Sequence, residues 1–484
     1  MLHLKTIVRI LGMLLLLEAI FMLLVLCSSI YFADGMLVSF VLSMALSVLL
    51  GSIMVYLGRG AGNKVSIKDG YLIVALCWVV YSIFGSLPYM LSGHITNMAD
   101  AFFETMSGFT TTGNTIMINP ESYPKSLLLW RAMTQWIGGL GIVFFTIALL
   151  PIFGLGDINL FSAESVGISR GKLHPRITVT ARWLLTIYTT LTIMCIGSLY
   201  LAGMGLFDSV CHSLSTLSTG GFSTRQASIG AYGSPLIEYI IAIYMFLGGT
   251  NFSLLYIAIF KQKFGALFKD GEFITYVKLV GVFTIIIAIG LFVTDGKGVE
   301  ESFRLSLFQV LSVMTTTGFG TSNYLSWSPI LWFLLSLTMF FGGCSGSTTG
   351  AMKCIRIGIL AKTMKNEFRR ILHPNAVLAV KMGGERVPGK VQSAVLAFTV
   401  IYMLAVLAGI VVGMFFDMSF VNSYGISISC VGNVGASIGD FGPIDNYAAL
   451  PDILKWFYSF LMLVGRLEFF AVLLLFTPVF WERS

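Results

Sequence analysis

Four short strings of threonine and glycine recur along the chain, and their residue types suit one kind of chemistry. Aligned on one glycine they are Thr110-Thr111-Thr112-Gly113, Leu217-Ser218-Thr219-Gly220, Thr315-Thr316-Thr317-Gly318 and Gly432-Asn433-Val434-Gly435, with the glycines 107, 98 and 117 residues apart (113, 220, 318, 435). Glycine supplies the backbone freedom that lets successive carbonyls point the same way. A hydroxyl residue beside it adds a second oxygen at the same level. Rings of carbonyl oxygens can replace the hydration shell of a permeating monovalent cation. Extended backbone at membrane depth is tolerated only where it is buried in protein or lines a water-filled path.

Each string needs an element to carry it, and the context repeats. A long apolar span comes first, then a short amphipathic segment opening on an aromatic or acidic cluster: Asp100 to Glu104, Phe207-Asp208-Ser209 and Glu300 to Phe303. The string follows, then a polar connection and a second apolar span. That order predicts helix, re-entrant half-helix, extended loop, helix. The second spans carry Gly138-Gly139, Gly248-Gly249, Gly342-Gly343 and Gly465, 24 to 30 residues after the aligned glycine. Close helix packing of the small-residue kind accounts for such pairs. It does not explain why the strings follow segments too short to cross a bilayer.

Composition places all this in a membrane. Of 484 residues, 56% are hydrophobic and 11% charged, against roughly 25% charged in a soluble domain. Apolar runs such as Ile10 to Phe32, Met36 to Leu57, Tyr71 to Leu91, Trp183 to Met204, Phe273 to Val293 and Val395 to Phe416 can each cross a hydrocarbon core of about 30 Å. The first run follows Lys5 and Arg9 but is too long for a signal peptide, and reads as a retained helix. With the N-terminus in the cytoplasm, most of the 30 Lys and Arg fall on that side, and acidic residues outnumber basic ones on the other. This is the positive-inside pattern. The net charge of +7 forms no basic groove with interleaved aromatics, so no nucleic acid is implied.

The expected fold is an all-α polytopic membrane protein: a two-helix hairpin over residues 1–69, then pore-loop repeats over 70–182, 183–272, 273–393 and 394–484. The seven Cys show no CxxC spacing and read as small buried apolar groups. No ligand-spaced His pair and no pairing of nucleophile and base is present, so no metal centre, cofactor or enzyme chemistry is expected. A secondary transporter with inverted repeats is the competing reading. That class shows two halves, and its proton routes need buried carboxylates, for which only Glu18 and Glu468 qualify.

Phe340 to Met352 interrupts one apolar stretch with Gly342, Gly343, Gly346 and Gly350. A helix there loses roughly 1 kcal/mol per glycine relative to alanine, so a broken span is expected. Arg466 and Glu468 fall in the last apolar stretch, where a charge faces protein or water. Glu18 has no evident role.

These strings, the N-terminal hairpin, the ending Gly465-Arg466-Leu467-Glu468 and the terminal Thr477-Pro-Val-Phe-Trp481 together resemble the Trk, Ktr and HKT superfamily of cation transporters, and within it the bacterial TrkH/TrkG-type membrane subunits. The resemblance covers essentially the whole chain. It implies potassium uptake through a pseudo-four-fold pore in the inner membrane, with Thr111, Thr112, Gly113, Ser218, Thr219, Gly220, Thr316, Thr317, Gly318, Asn433, Val434 and Gly435 as the filter. Glycine at the key position of every repeat favours potassium over sodium. It also implies that Gly342 to Gly350 is a movable gate opposed by Arg466, that the chain forms a homodimer, and that a cytoplasmic nucleotide-binding subunit of the TrkA type docks on it. The surfaces expected to receive that subunit are the loop from Asp157 to Arg182 and the basic connection from Lys353 to Lys390, with Lys362, Lys365, Arg369, Arg370, Lys381 and Arg386. The chain itself has no GxxxxGK[ST] phosphate loop.

Overall fold

A computed structural model describes residues 2–60, 62, 66–144, 177–376, 378–442 and 445–482. The expected loop from Asp157 lies outside the described residues as far as residue 176.

The protein is a polytopic helical membrane protein. Long helices at Leu4–Phe32, Leu37–Leu57, Gly271–Thr294 and Gly389–Phe415, with others at Ile67–Gly85 and Ile177–Leu201, are long and apolar enough to span a bilayer. Their exposed sides are apolar, as Ile285, Ile289 and Val293 on one and Val400, Leu404 and Val411 on another. Such surface is stable against lipid and not against water.

The first two helices form a hairpin through small residues. A Cβ on Gly12 would lie 2.7 Å from the carbonyl oxygen of Gly51, and Ser39, Ser43 and Ser47 are buried along one stripe of the second helix. Close backbone approach of this kind is what holds helices together in lipid. At the turn, the Asp34 carboxylate accepts from Ser29 Oγ (2.7 Å) and from the Ser126 amide (2.9 Å), which ties the hairpin to the first repeat.

Helix, half-helix, extended strand and helix then follow four times among the described residues. The half-helices are Met98–Phe109, Leu206–Leu217, Val299–Met314 and Phe420–Gly432. Twelve residues rise only about 18 Å, short of the roughly 30 Å core. Asn97 caps the first through the Ala99 amide (2.9 Å), and Ser419 caps the fourth through Asn422 (3.2 Å).

The glycine pairs of the second spans have a packing cause. A Cβ on Gly138 would sit 1.9 Å from the Phe109 carbonyl oxygen, and one on Gly465 2.1 Å from that of Val431. Both carbonyls close the half-helix of the same repeat. Gly248 stands in the same place against Leu217.

Two expectations need correction. The second spans of repeats 2 and 4 are not continuous: Pro235–Gly248 meets Phe252–Phe260 at 106°, and Asp452–Arg466 meets Phe470–Phe476 at 113°. The break in repeat 2 is capped by Asn251, whose side-chain oxygen accepts from the Ser253 amide (2.9 Å). The break in repeat 4 falls at Leu467 to Phe469, where Glu468 and Phe469 adopt positive φ (55° and 62°). Arg466 and Glu468 therefore stand at an interruption, not inside a span. In the first span of repeat 1 the helix is interrupted at Ser86 alone, where Pro88 removes an amide donor, and Lys68–Leu91 remains one span. In repeat 3 the helix ends at Thr338 and resumes at Cys354. The basic connection forms the helix Cys354–Leu372 and a two-residue strand pair, Lys381–Met382 with Glu385–Arg386.

Gly138→Ala must push the second span off the first half-helix, an overpacking cost of about 1–3 kcal/mol. Its thermal midpoint in detergent should fall by several degrees, while Gly197→Ala, with open space around it, should leave the midpoint unchanged or higher.

Candidate functional site: a ring of four carbonyls

Each half-helix closes the same way. The amides of Thr112, Gly220, Thr317 and Val434 donate to the carbonyls of Ser107, Ser215, Ser312 and Ser429 at 2.9, 2.9, 2.8 and 2.9 Å. The residue just before each donor, Thr111, Thr219, Thr316 or Asn433, has a left-handed backbone (φ 51°, 53°, 56° and 52°). The residue just after is a glycine with φ near +85°: Gly113 (89°), Gly221 (80°), Gly318 (81°) and Gly435 (83°).

This fixes the register and corrects the alignment of repeat 2 by one residue. Gly221, not Gly220, is the counterpart of Gly113, and Gly220 stands where Thr112 and Thr317 stand. Two adjacent glycines left the choice open, and the serine six residues before each glycine is the signal that decides it. With Gly221 in place the serines at 107, 215, 312 and 429 coincide. Ser218 moves back to the end of its half-helix, where its hydroxyl donates to Leu214 O (2.8 Å).

The glycines close a ring. A Cβ on Gly113 would lie 2.2 Å from Gly220 O, one on Gly221 1.8 Å from Thr317 O, one on Gly318 2.5 Å from Val434 O, and one on Gly435 2.4 Å from Thr112 O. Repeat 1 thus abuts repeat 2, 2 abuts 3, 3 abuts 4, and 4 returns to 1. Any side chain would both strain the positive φ and displace a neighbour's carbonyl. Four backbone carbonyls brought around one axis are what dehydration of a monovalent cation requires. All four glycines open on one vestibule, lined also by Thr115, Arg131, Ser223, Arg225 and Asp445.

The ring is not symmetric in its supports. The hydroxyls of Thr110 and Thr112 bond each other (2.8 Å), as do those of Thr315 and Thr317 (2.8 Å). Repeat 2 has glycine in place of the second threonine, and Gln135 grips it instead, donating to Gly220 O (2.6 Å) and accepting from the Phe222 amide (3.0 Å). In repeat 4, Asn433 Nδ2 donates to Thr112 Oγ1 (2.9 Å) and to Met462 O (2.9 Å), binding that strand to repeat 1.

A buried ion pair braces the first two strands. Glu104 accepts from Arg131 Nε (2.6 Å), Thr115 Oγ1 (3.0 Å) and the Ile116 amide (2.8 Å). Arg131 Nη1 donates to Ser223 O (2.8 Å), and its guanidinium lies 3.7 Å from the centre of the Phe222 ring. From sequence Glu104 marked only the acidic opening of the half-helix, and Arg131 has no local spacing to mark it.

On the side away from the vestibule, the segment from Met339 to Lys353 lies directly beneath the ring. Thr348 Oγ1 donates to Leu217 O (3.0 Å) and accepts from Thr219 Oγ1 (3.2 Å), both in repeat 2. The Gly350 amide donates to Thr316 Oγ1 (2.8 Å) and the Ala351 amide to Gly432 O (2.9 Å). Gly342 and Gly346 turn the chain through positive φ (68° and 74°), and Gly343 fits where a Cβ would lie 2.6 Å from Gly249 O. Arg466, buried, donates to Thr348 O (2.7 Å). Glu468 pairs with Arg356 and not with Arg466. Lys353 Nζ donates to Thr349 O. No group of three or more His, Cys, Asp or Glu able to hold a metal ion occurs among the described residues.

Fold and site together define a helical membrane protein built from four pore-loop units that meet on one axis. Residues 36–483 match the family model described as TrkH, cation transport protein. The "Trk system potassium uptake protein TrkH" of Halomonas elongata is 38% identical over 99% of this chain and 100% of its own length. The TrkG protein of Escherichia coli, also named a Trk system potassium uptake protein, is 33% identical over 99% of each. The crystal structure of the potassium transporter TrkH from Vibrio parahaemolyticus superposes with a TM-score of 0.91 at 33% identity, covering 99% of this chain and 100% of that one. The chain belongs to the TrkH family of cation transport proteins.

Arg131→Met leaves the Glu104 carboxylate buried without its cation, which costs about 3–5 kcal/mol. The variant should unfold well below wild type in a detergent melt, and adding Glu104→Gln should restore part of the loss.

Proposed function

We propose that the chain conducts potassium into a bacterial cell through the carbonyl ring, and that it is a transport protein rather than an enzyme. The observation that carries this is the cyclic contact of Gly113, Gly221, Gly318 and Gly435 with the carbonyls of Gly220, Thr317, Val434 and Thr112. The relatives named as potassium uptake proteins support the choice of ion. Thr111, Thr112, Gly113, Thr219, Gly220, Gly221, Thr316, Thr317, Gly318, Asn433, Val434 and Gly435 are the filter in this reading, with Ser218 behind it.

Gly342 to Gly350 is the gate, and Arg466 holds it closed through Thr348. The contacts of Thr348 and Gly350 with repeats 2 and 3 support a shut pore. The positive charge of Arg466 beneath the ring adds an electrostatic barrier to cations. The basic surface of Cys354–Leu372 suits a cytoplasmic partner, and a regulatory subunit of the TrkA type is the one proposed, acting on a homodimer. The charge bias of the connections supports an N-terminus in the cytoplasm and residence in the inner membrane.

Purified protein in liposomes should pass potassium in preference to sodium. Gly113→Ser, whose Cβ must displace Gly220 O, should relax that preference toward sodium. Preference unchanged in a conducting Gly113→Ser protein would sink the ring as the filter. Arg466→Ala and a shortened Gly342 to Gly350 segment should each raise flux severalfold. Unchanged flux in both would count against the gate. A wild-type chain passing neither ion, with and without the regulatory subunit, would return the inverted-repeat transporter to consideration.

A further inference from the structure

The corrected register brings a second set of residues into line. Nine places before the glycines stand Glu104, His212, Gln309 and Ile426, on the half-helices of repeats 1 to 4. All four are buried, at 1% exposure or less. Under the uncorrected register His212 would not fall in this set.

Two of the four make the same contact by different chemistry, and a third makes a longer one, displaced by one residue. The Glu104 carboxylate accepts from Thr115 Oγ1, two residues past Gly113 (3.0 Å). His212 Nε2 lies 2.9 Å from Ser223 Oγ, two residues past Gly221. Gln309 Nε2 donates to Thr321 Oγ1, three residues past Gly318 (3.4 Å). The tautomer of His212 follows from its other nitrogen. Nδ1 faces the Asp208 carbonyl at 2.8 Å, which can only accept, so Nδ1 carries the hydrogen and Nε2 accepts from the Ser223 hydroxyl. Ser223 Oγ in turn accepts from the Arg225 amide (3.0 Å), completing its bonds.

Repeat 4 breaks the pattern. Ile426 offers no polar group, and next to the ring the strand past Gly435 is bonded from repeat 3, where Tyr324 Oη donates to Ser437 O. Each strut spans from the half-helix to the strand just beyond the ring, so its length sets how far that strand can move from the axis at the vestibule end.

We infer that Glu104, His212 and Gln309 are positioning residues that fix the width of the vestibule end of the carbonyl ring, each acting on its own strand. The inference rests on the proposed role of the ring in binding potassium. The fourth strand has no strut at this position; Asn422 of its own half-helix holds it further out, at Asp440 (2.7 Å), and Tyr324 of repeat 3 holds it at Ser437.

The test is potassium and sodium titration of purified protein followed by thermal shift, which reads ion binding whether or not the gate is open. In wild type, potassium should stabilise more than sodium at equal concentration. His212→Leu removes the acceptor for Ser223 and should weaken apparent potassium affinity about fivefold, the effect of one net hydrogen bond, with little change for sodium. His212→Gln, whose amide oxygen can accept from Ser223, should bind potassium within about twofold of wild type. A folded His212→Leu protein with wild-type affinities for both ions overturns the strut. Should His212→Leu fail to fold, Gln309→Leu is read the same way at repeat 3 and decides the matter. Absence of any potassium-dependent shift in wild type would instead overturn the ring as a potassium site, a failure distinct from that of the strut.

Discussion

Lipid offers no hydrogen bonds, so a chain that lays extended backbone across the middle of a membrane must answer for every amide and carbonyl itself. This constraint shapes most of what surrounds the ring. Amides are spent inward on the half-helix, as in the bonds from Thr112, Gly220, Thr317 and Val434 to four serine carbonyls. The carbonyls of those same residues are turned toward the neighbouring glycine and the axis. The amides are thereby satisfied by the half-helix, and the carbonyls line the ring, that of Gly220 also accepting from Gln135. The half-helices are short because they exist to end at this level. The second spans carry glycine because they must pass within van der Waals distance of those ends.

The segment beneath the ring obeys the same constraint. It too is irregular backbone at membrane depth, and its groups are met by repeats 2, 3 and 4: Leu217, Gly249, Thr316, Gly432 and Arg466 all contribute. Its bond with Thr348 gives Arg466 one partner for a charge otherwise buried. The second spans of repeats 2 and 4 break just past Gly248 and Gly465, whereas that of repeat 1 runs unbroken from Lys125 to Phe144, so interruption is shared by repeats 2, 3 and 4.

Much of this was legible in the sequence, for identifiable reasons. Long apolar runs announce spans because hydrocarbon thickness sets their length. The four strings stand out because each pairs the backbone freedom of glycine with a polar side chain in an otherwise apolar chain. What misled was local degeneracy. Gly220-Gly221 permits two registers when only the glycines are aligned, and the serine six residues before, whose carbonyl takes the closing hydrogen bond, separates them. The breaks at Gly249 to Asn251 and Leu467 to Phe469 were hidden because apolar runs continue on both sides of only two or three polar residues. The Glu104–Arg131 pair and the grip of Gln135 on Gly220 depend on contacts between separate elements, which no local spacing records.

The ring is made by one chain, and its four quarters are not copies. At the position before the glycine they present Thr112, Gly220, Thr317 and Val434. An assembly of four identical subunits can alter such a ring only in all quarters at once, so each mutation is a large step. A single polypeptide with diverged quarters can change one ligand among four and leave the rest in place. Drift in one quarter is then survivable, and with the ring as the proposed filter, ion preference becomes a quantity that selection can adjust by degrees.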